Sequence, residues 1–422
     1  MKICVIGIGY VGLSAALSFA SVGHEVYCID KDENRLENLK KGVLPIYEPK
    51  MEEFITKHSS NLFFTTDLKT ALNECSTCFI AVGTPTKENG ESDTSAIFEV
   101  ADEIAKNISK YTVIVNKSTV PISFNDVLKK YISSKTNIEF DIVSNPEFLK
   151  QGSAIDDFLK AERVVIGADS PKAQKVMMEI YEPFNIAKEK ILFMSANSAQ
   201  LVKYAANSFL ALKISFINEI ANLCEKTNAN IEDIKKGIAL DSRIGDKFLN
   251  AGIGYGGSCF PKDTKAIVSF AKNLNVKLNT IESAIKTNEA QIEKFIQKIL
   301  DFYNGNIQNK TFALLGIAFK PNTNDTREAP SLKIINRLTS LGAKIQAYDP
   351  KAKYHFQVNS IDEALNNADC LIIATEWEEF KNIPIEKLQN LKDKVIFDGR
   401  NIFINRNLKN YGLKYFCIGK NE

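Results

Sequence analysis

Two Rossmann-like α/β domains with doubly wound parallel sheets, joined by a helical domain with a long central helix, are predicted from three observations. Near both ends of the chain, short apolar runs closing on glycine or an acid alternate with segments of helical period. A middle stretch keeps apolar residues at 3–4 spacing for about thirty residues without glycine or proline. Two segments far apart in the chain also echo each other, "DLKTALNECSTCFIAV" (67–82) and "SIDEALNNADCLIIAT" (360–375), each a short helix with Ala-Leu followed by an apolar strand.

The first unit opens with "KICVIG" (2–7), "YVGLSAALSFASVG" (10–23) and "HEVYCID" (24–30), which read as strand, helix and strand. The alternation continues in "TCFIAVGTP" and "YTVIVNKSTV", and such runs imply a parallel sheet covered on both faces. The N-terminal run has a lysine and small residues like a secretory signal, but glycines at fixed spacing break it and it continues into a second strand. From Ser195, "SANSAQLVKYAANSFLALKISFINEIANLCEKTNANI" predicts one long helix with Ser195, Asn197 and Ser198 as N-cap candidates, and a dimer spine. Alternation resumes with "TFALLGIAF", "KIQAYDP", "CLIIATEW" and "VIFDGRN". The expected divisions are 1–194, 195–305 and 306–422.

Bulk composition narrows the function classes. The 422 residues carry 53 basic and 51 acidic side chains, for a net charge of +2, and no long basic run, so a nucleic-acid partner is not expected. No stretch has the length and apolarity of a membrane span. Eight cysteines without an export signal predict a reduced, cytoplasmic protein. Cys4, Cys28, Cys78 and Cys370 lie in or beside apolar runs and read as small core residues. "CSTC" (75–78) has no second pair and the chain has three histidines, so no metal site is expected.

"GIGYVG" puts Gly7, Gly9 and Gly12 in dinucleotide spacing, directly after a strand and opening a helix that also carries Tyr10 and Val11. Gly7 permits the tight turn, Gly9 the approach of a pyrophosphate, and Gly12 close helix–strand packing. Asp30 ends the second strand 18 residues after Gly12. A carboxylate there accepts from a ribose hydroxyl and repels a 2′-phosphate, which favours NAD over NADP, although Arg35 lies nearby.

"GYGGSCFPKD" (254–263) raises a separate question. Cys259 is open to four readings: core residue, disulfide partner, metal ligand or nucleophile. The glycines let backbone approach a ligand, Lys262 adds positive charge, and Asp263 is suited to activating or holding water. The functional reading is favoured on these grounds. Lys203 and Asn207, one helical turn apart, offer an ammonium and an amide to an oxygen.

Taken together these residues resemble the UDP-glucose/GDP-mannose dehydrogenase family. The resemblance spans essentially the whole chain and rests on "GIGYVG", "VGTP" (82–85), "KSTVP" (117–121), "NPEFL" (145–149), "KYAANSFLALKISFINEIA" (203–221), the Cys259 motif, "FKPNTNDTREAPS" (319–331) and "FDGR" (397–400). It implies a four-electron oxidation of UDP-glucose at C6 to UDP-glucuronate with two NAD. Cys259 would be the nucleophile, passing through thiohemiacetal and thioester, with Asp263 assisting water, Lys203 stabilising negative oxygen, Asn207 and Thr119 holding water, and Glu147 as acid/base. It further implies NAD contacts at Tyr10, Val11, Thr84, Thr119, Gln151, Lys262 and Arg327, beside the glycine turn, Asp30 and Arg35. Substrate contacts are implied at Glu147, Phe148, Leu149 and Lys150, at Lys203 and Asn207, along Phe248, Leu249, Asn250, Ala251, Gly252 and Gly256, and at Lys320 and Arg400. Arg243 is implied to reach into a neighbouring copy in a homodimer.

One departure stands out. Members of this family commonly read "PEFL", a variable residue, then "EG", whereas this chain has Gln151 at the second glutamate. Gln151 keeps hydrogen bonding and loses basicity, which shifts any acid/base duty to Glu147 and Asp263. Other readings are a GDP-mannose or UDP-N-acetylhexosamine dehydrogenase on the same scaffold, a single-step alcohol dehydrogenase needing no cysteine, and a non-enzymatic NAD-binding interaction protein.

Overall fold

A computed structural model describes residues 1–355 and 357–421. The chain forms two compact units, 1–206 with 269–274, and 207–268 with 275–422.

The first unit is built on an eight-stranded sheet. Its strands are β1 (Lys2–Ile6), β2 (Glu25–Ile29), β3 (Leu62–Thr65), β4 (Thr77–Ile80), β5 (Thr112–Asn116), β6 (Phe140–Ser144), β7 (Val164–Gly167) and β8 (Ile191–Met194), in the order β3-β2-β1-β4-β5-β6-β7-β8. The central strands β4 and β5 are buried along their whole length, as expected where helices cover both faces. One core packs Ile3, Val5, Leu17 and Phe19 on one face, and another packs Cys4, Ile6, Ile80 and Ile114 on the other. The sheet departs from a purely parallel one at a single place, where β6 meets β7 antiparallel through Ser144 and Gly167. The link between those strands, the "NPEFL" turn and the short helix Ala154–Leu159, returns the chain without a full crossover.

The second unit carries a five-stranded parallel sheet of β9 (Thr311–Leu315), β10 (Lys344–Tyr348), β11 (Cys370–Ile373), β12 (Val395–Asp398) and β13 (Lys414–Phe416), in the order β10-β9-β11-β12-β13. The predicted echo between the two ends of the chain is structural. The helices Leu68–Glu74 and Ile361–Leu365 each lead into an apolar strand, β4 and β11. The turns after β1 and β9 are built alike as well. Gly7 and Gly316 both adopt positive φ, +90° and +95°. Each donates its N–H to the end of the neighbouring strand, at Ile29 O and Tyr348 O. The next N–H goes to an aspartate, Ile8 to Asp30 at 2.9 Å and Ile317 to Asp349 at 2.7 Å.

The long helix spans Ala196–Thr227, 32 residues and about 48 Å. Ser195 caps it, its Oγ accepting from Ser198 N–H. Polar side chains at Lys203, Asn207, Ser215 and Asn218 are buried. Ser215 donates to Ala284 O and Asn218 accepts from Gly252 N–H.

Candidate active site

In the first unit the glycine turn has the form a dinucleotide requires. A Cβ on Gly12 would run into the carbonyl oxygen of Gly7, whereas Gly9 has open space where its side chain would be. Helix and strand therefore close on each other at Gly12 and leave room for phosphate at Gly9. Gly9 begins the helix Tyr10–Ser21, whose first N–H groups face that space. Asp30 is buried at the end of β2 and accepts from Ile8 N–H, Asp32 N–H and Arg35 Nη1. Arg35 is thus engaged by the carboxylate that favours NAD. Thr84 donates its hydroxyl to Thr119 O at 2.9 Å, joining two of the expected residues.

Around "NPEFL" the same unit assembles a charged cluster with little water. The Lys203 side chain is 4% exposed and that of Glu147 8%. Lys203 Nζ donates to Glu147 Oε1 at 2.8 Å and to Glu147 O at 2.6 Å. Burial pushes the Glu147 carboxyl up, but Lys203, Leu149 N–H and Lys117 together outweigh it and hold it below the usual carboxylate range. Glu147 is therefore an anion at neutral pH. Phe148 lies under two cations, with Arg163 4.0 Å and Lys203 5.5 Å from its ring. Lys150 is paired with Asp157 at the surface, and Gln151 is half-buried beside Gly152.

Residues that sequence reasoning missed support this cluster. Lys117 is buried, donates to Asn145 Oδ1 at 3.0 Å and lies 5.2 Å from the Phe158 ring. Tyr181 donates to the same Asn145 oxygen at 2.6 Å, and Asn145 Nδ2 donates to Val165 O. Burial, with Lys203 nearby and Glu147 opposing, pushes Lys117 down to about 8. Lys117 and Asn145 fall in the quoted "KSTVP" and "NPEFL" segments, but a side chain's burial is not legible in one sequence.

In the second unit the cysteine segment is pinned from several sides. Gly254 and Gly257 have positive φ, +102° and +82°, which an L side chain resists. A Cβ on Gly257 would meet the Phe319 ring at 2.7 Å. Gly257 N–H donates to Arg327 O at 2.9 Å. Asn288 takes the Tyr255 N–H and gives to the Tyr255 carbonyl, and Asn218 and Gln291 do the same for Gly252. Cys259 immediately precedes the helix Phe260–Asn273. None of the eight cysteines forms a disulfide. Seven are buried and Cys259 is the half-buried exception. In the "CSTC" pair, burial pushes the Cys75 thiol up to about 12. Among the described residues no His/Cys/Asp/Glu group is arranged to hold a metal.

Asp263 follows one turn after Cys259 and accepts two short bonds, from Asn207 Nδ2 and from Lys262 Nζ, both at 2.6 Å. Its side chain is 1% exposed. Arg327 is held in a fork by Asp325, which raises its already high affinity for the proton, and Cys259 adds to that in the same direction. Arg400 donates to Ala374 O and pairs with Glu376. Lys320 lies over the Phe319 ring. In the segment Phe248–Gly252, Phe248 takes a positive φ of 62°. Leu249 and Ala251 are core residues, whereas Phe248 is half-buried and Asn250 exposed. Arg243 is folded onto Asp241, with its side chain 87% exposed. The carboxylate of Asp349, like that of Asp30, is held internally, here by four backbone N–H groups and the Trp377 indole.

Comparison with known proteins fits this geometry along the whole chain. The UDP-glucose/GDP-mannose dehydrogenase family matches in three successive parts: its NAD binding domain at residues 1–185, its central domain at 197–290 and its UDP binding domain at 313–405. The UDP-glucose 6-dehydrogenase of Rhizobium meliloti (strain 1021) is 42% identical over 436 residues, covering 100% of both chains. This chain belongs to the UDP-glucose/GDP-mannose dehydrogenase family. UDP-glucose 6-dehydrogenase TuaD of Bacillus subtilis (strain 168) is 43% identical, over 99% of this chain and 93% of that protein. A UDP-glucose dehydrogenase from the archaeon Pyrobaculum islandicum superposes with a TM-score of 0.92 at 32% identity, covering 100% of this chain and 98% of that one. This family member is an NAD-dependent sugar-nucleotide dehydrogenase, with NAD as its cofactor. No helix among the described residues is long and apolar enough to cross a membrane.

Proposed function

We propose that the chain oxidises UDP-glucose at C6 to UDP-glucuronate, consuming two NAD and one water, through a thioester on Cys259. One observation carries the reading. The accessible thiol sits one turn before a buried aspartate whose two oxygens are held by an amide and an ammonium. A single-step alcohol dehydrogenase has no use for that pair.

NAD, when bound, accepts hydride from C6. The glycine turn and Asp30 seat its pyrophosphate and ribose, and Tyr10, Val11, Thr84, Thr119, Gln151, Lys262 and Arg327 are assigned to it. Cys259 Sγ adds to the C6 aldehyde, so that the second oxidation leaves an acyl group on sulfur instead of a free, hydratable aldehyde. Lys203 supplies the cation for the developing oxyanion. Glu147, as an anion, orients that ammonium and serves as proton acceptor. Thr119 and Asn207 hold water, and Asp263 takes its proton as the thioester is cleaved. Phe148, Leu149 and Lys150, the Phe248–Gly252 segment, Gly256, Lys320 and Arg400 are assigned to the sugar nucleotide.

The substrate choice is supported by relatives named for UDP-glucose at about 40% identity across the chain. A second reading, a UDP-N-acetylhexosamine, has support from the UDP-D-ManNAc dehydrogenase of Pyrococcus horikoshii, 26% identical with a TM-score of 0.88. We further propose a cytoplasmic homodimer with domains at 1–194, 195–305 and 306–422. Phe209, Phe216 and Leu223 are exposed on the long helix at a seven-residue spacing, an apolar stripe suited to a second copy, in which Arg243 would serve the partner's site.

The test is stoichiometric. Limiting UDP-glucose with excess NAD should yield two NADH per sugar, measured by absorbance. One NADH per sugar refutes the thioester route. None, with turnover of another nucleotide sugar, moves the substrate assignment.

A further inference from the structure

Glu48 is a buried carboxylate to which nothing so far assigns a role. It lies between β2 and β3, in a stretch that sequence reasoning passed over, and is 3% exposed. Its Oε2 accepts from the Tyr10 hydroxyl at 3.0 Å and from Gly152 N–H at 2.7 Å. Its Oε1 accepts from Ala154 N–H at 2.8 Å. Those donors come from two loops with different duties. Tyr10 is the first residue of the phosphate-facing helix. Gly152 and Ala154 close the turn that begins at Glu147, with Gly152 at a positive φ of 89°. Leu149 N–H, at the start of that turn, bonds back to Glu147 Oε2 at 2.6 Å. Lys50, two residues after Glu48, pairs with Asp156 at 2.6 Å, a tie between the same segment and the helix Ala154–Leu159 that follows the turn. Buried N–H groups without an acceptor are costly, so this carboxylate fixes where the turn can sit.

We propose that Glu48 is a positioning residue that couples occupancy of the Gly7–Gly12 turn by NAD to the placement of the Glu147–Ala154 turn. A dinucleotide seated on the glycine turn fixes the start of the helix and with it the Tyr10 side chain. The Tyr10 hydroxyl fixes one oxygen of Glu48, and Glu48 fixes the Gly152 and Ala154 amides. Glu147, at the other end of that turn, is thereby set before the sugar arrives. The inference rests on the assignment of the 147–154 turn to the substrate, but its test uses NAD alone.

Hydrogen–deuterium exchange of the full chain, with and without saturating NAD, reads both ends of the link. In the wild type, NAD should slow exchange in peptides covering 7–13 and in those covering 147–157. Tyr10→Phe keeps the ring and removes one hydrogen bond. At NAD concentrations raised until its own 7–13 protection is saturated, it should lose about fivefold of the protection at 147–157, the factor for one buried bond. Glu48→Gln, which cannot accept from all three donors, should lose more at 147–157 while its 7–13 protection at saturation persists. A merely structural Glu48 would alter exchange in 147–157 equally with and without NAD. That result, or undiminished NAD protection of 147–157 in Tyr10→Phe, overturns the coupling. Protection at 7–13 without any response at 147–157 in the wild type overturns it too, and leaves the cofactor and substrate assignments standing.

Discussion

Lys117→Met isolates the buried charge beneath the Glu147–Lys203 pair. The Lys117 ammonium lies among Phe79, Phe158 and Asn145, and burial lowers its proton affinity to about 8 from the usual 10.5. At about 1.4 kcal/mol per tenfold change in affinity, keeping the proton there costs the folded state roughly 3 kcal/mol at neutral pH. Below about pH 8 folded and unfolded chains both hold that proton, and the cost is fully present. Between about 8 and 10.5 the unfolded chain binds more protons than the folded one, so the wild type gains stability as pH rises. Methionine has no such proton. The wild type should therefore gain about 2–3 kcal/mol on Lys117→Met between pH 7 and pH 10. For a unit of this size that is a relative shift in Tm of roughly 5–10 °C. Near pH 7 Lys117→Met should be the more stable by about 1.5–2 kcal/mol, because the lost bond to Asn145, about 1–1.5 kcal/mol, offsets only part of the relieved burial cost. The assay is thermal unfolding of both proteins at pH 7, 8, 9 and 10. A difference in Tm that stays constant across that range would show that Lys117 does not hold a strained proton.

Asp263→Asn removes the anion gripped by Asn207 and Lys262. It should cut kcat by roughly 10²–10⁴-fold with little change in the KM for NAD, read from steady-state NADH formation. Gln151→Glu restores a carboxylate beside Gly152, and it should alter the pH profile of kcat modestly and leave two NADH per sugar; loss of all turnover would mean the turn has been misread. Gly12→Ala places a methyl against the Gly7 carbonyl, where backbone has to move. It should raise the Kd for NAD at least about 100-fold, as read by calorimetry, the scale of a lost pyrophosphate seat.

Much of the fold was legible because its signals are local. Glycine spacing after an apolar run, an acid closing the next run, and the change from period two to period 3.6 each report on neighbours in sequence. They placed β1, β2 and the helix between them, and the long helix from Ser195. The echo between 67–82 and 360–375 was readable for the same reason, since each half is a helix cap followed by a buried strand. The antiparallel meeting of β6 and β7 was not readable. Both strands are short, apolar runs, and direction is set by how the linking turn packs.

The candidate site divides along the same line. Residue types in order along the chain singled out Cys259, Asp263, Lys203 and Asn207, because unusual chemistry in fixed spacing is a one-dimensional signal, whereas Glu147 came only with the family resemblance. Partnership is not one-dimensional. Lys203 and Asn207 differ by one helical turn, yet the first bonds Glu147 and the second Asp263, each 56 residues away. Glu48, Lys117, Asn145, Asn288 and Gln291 are ordinary polar letters in the sequence. Only folding removes water from them, and in a low-dielectric interior a polar group must find its partner or pay heavily. The order of residues thus determined which groups the chain can offer to a dinucleotide and a sugar nucleotide. Burial decided which of those groups are charged, what each one holds, and which silent neighbours keep them in place.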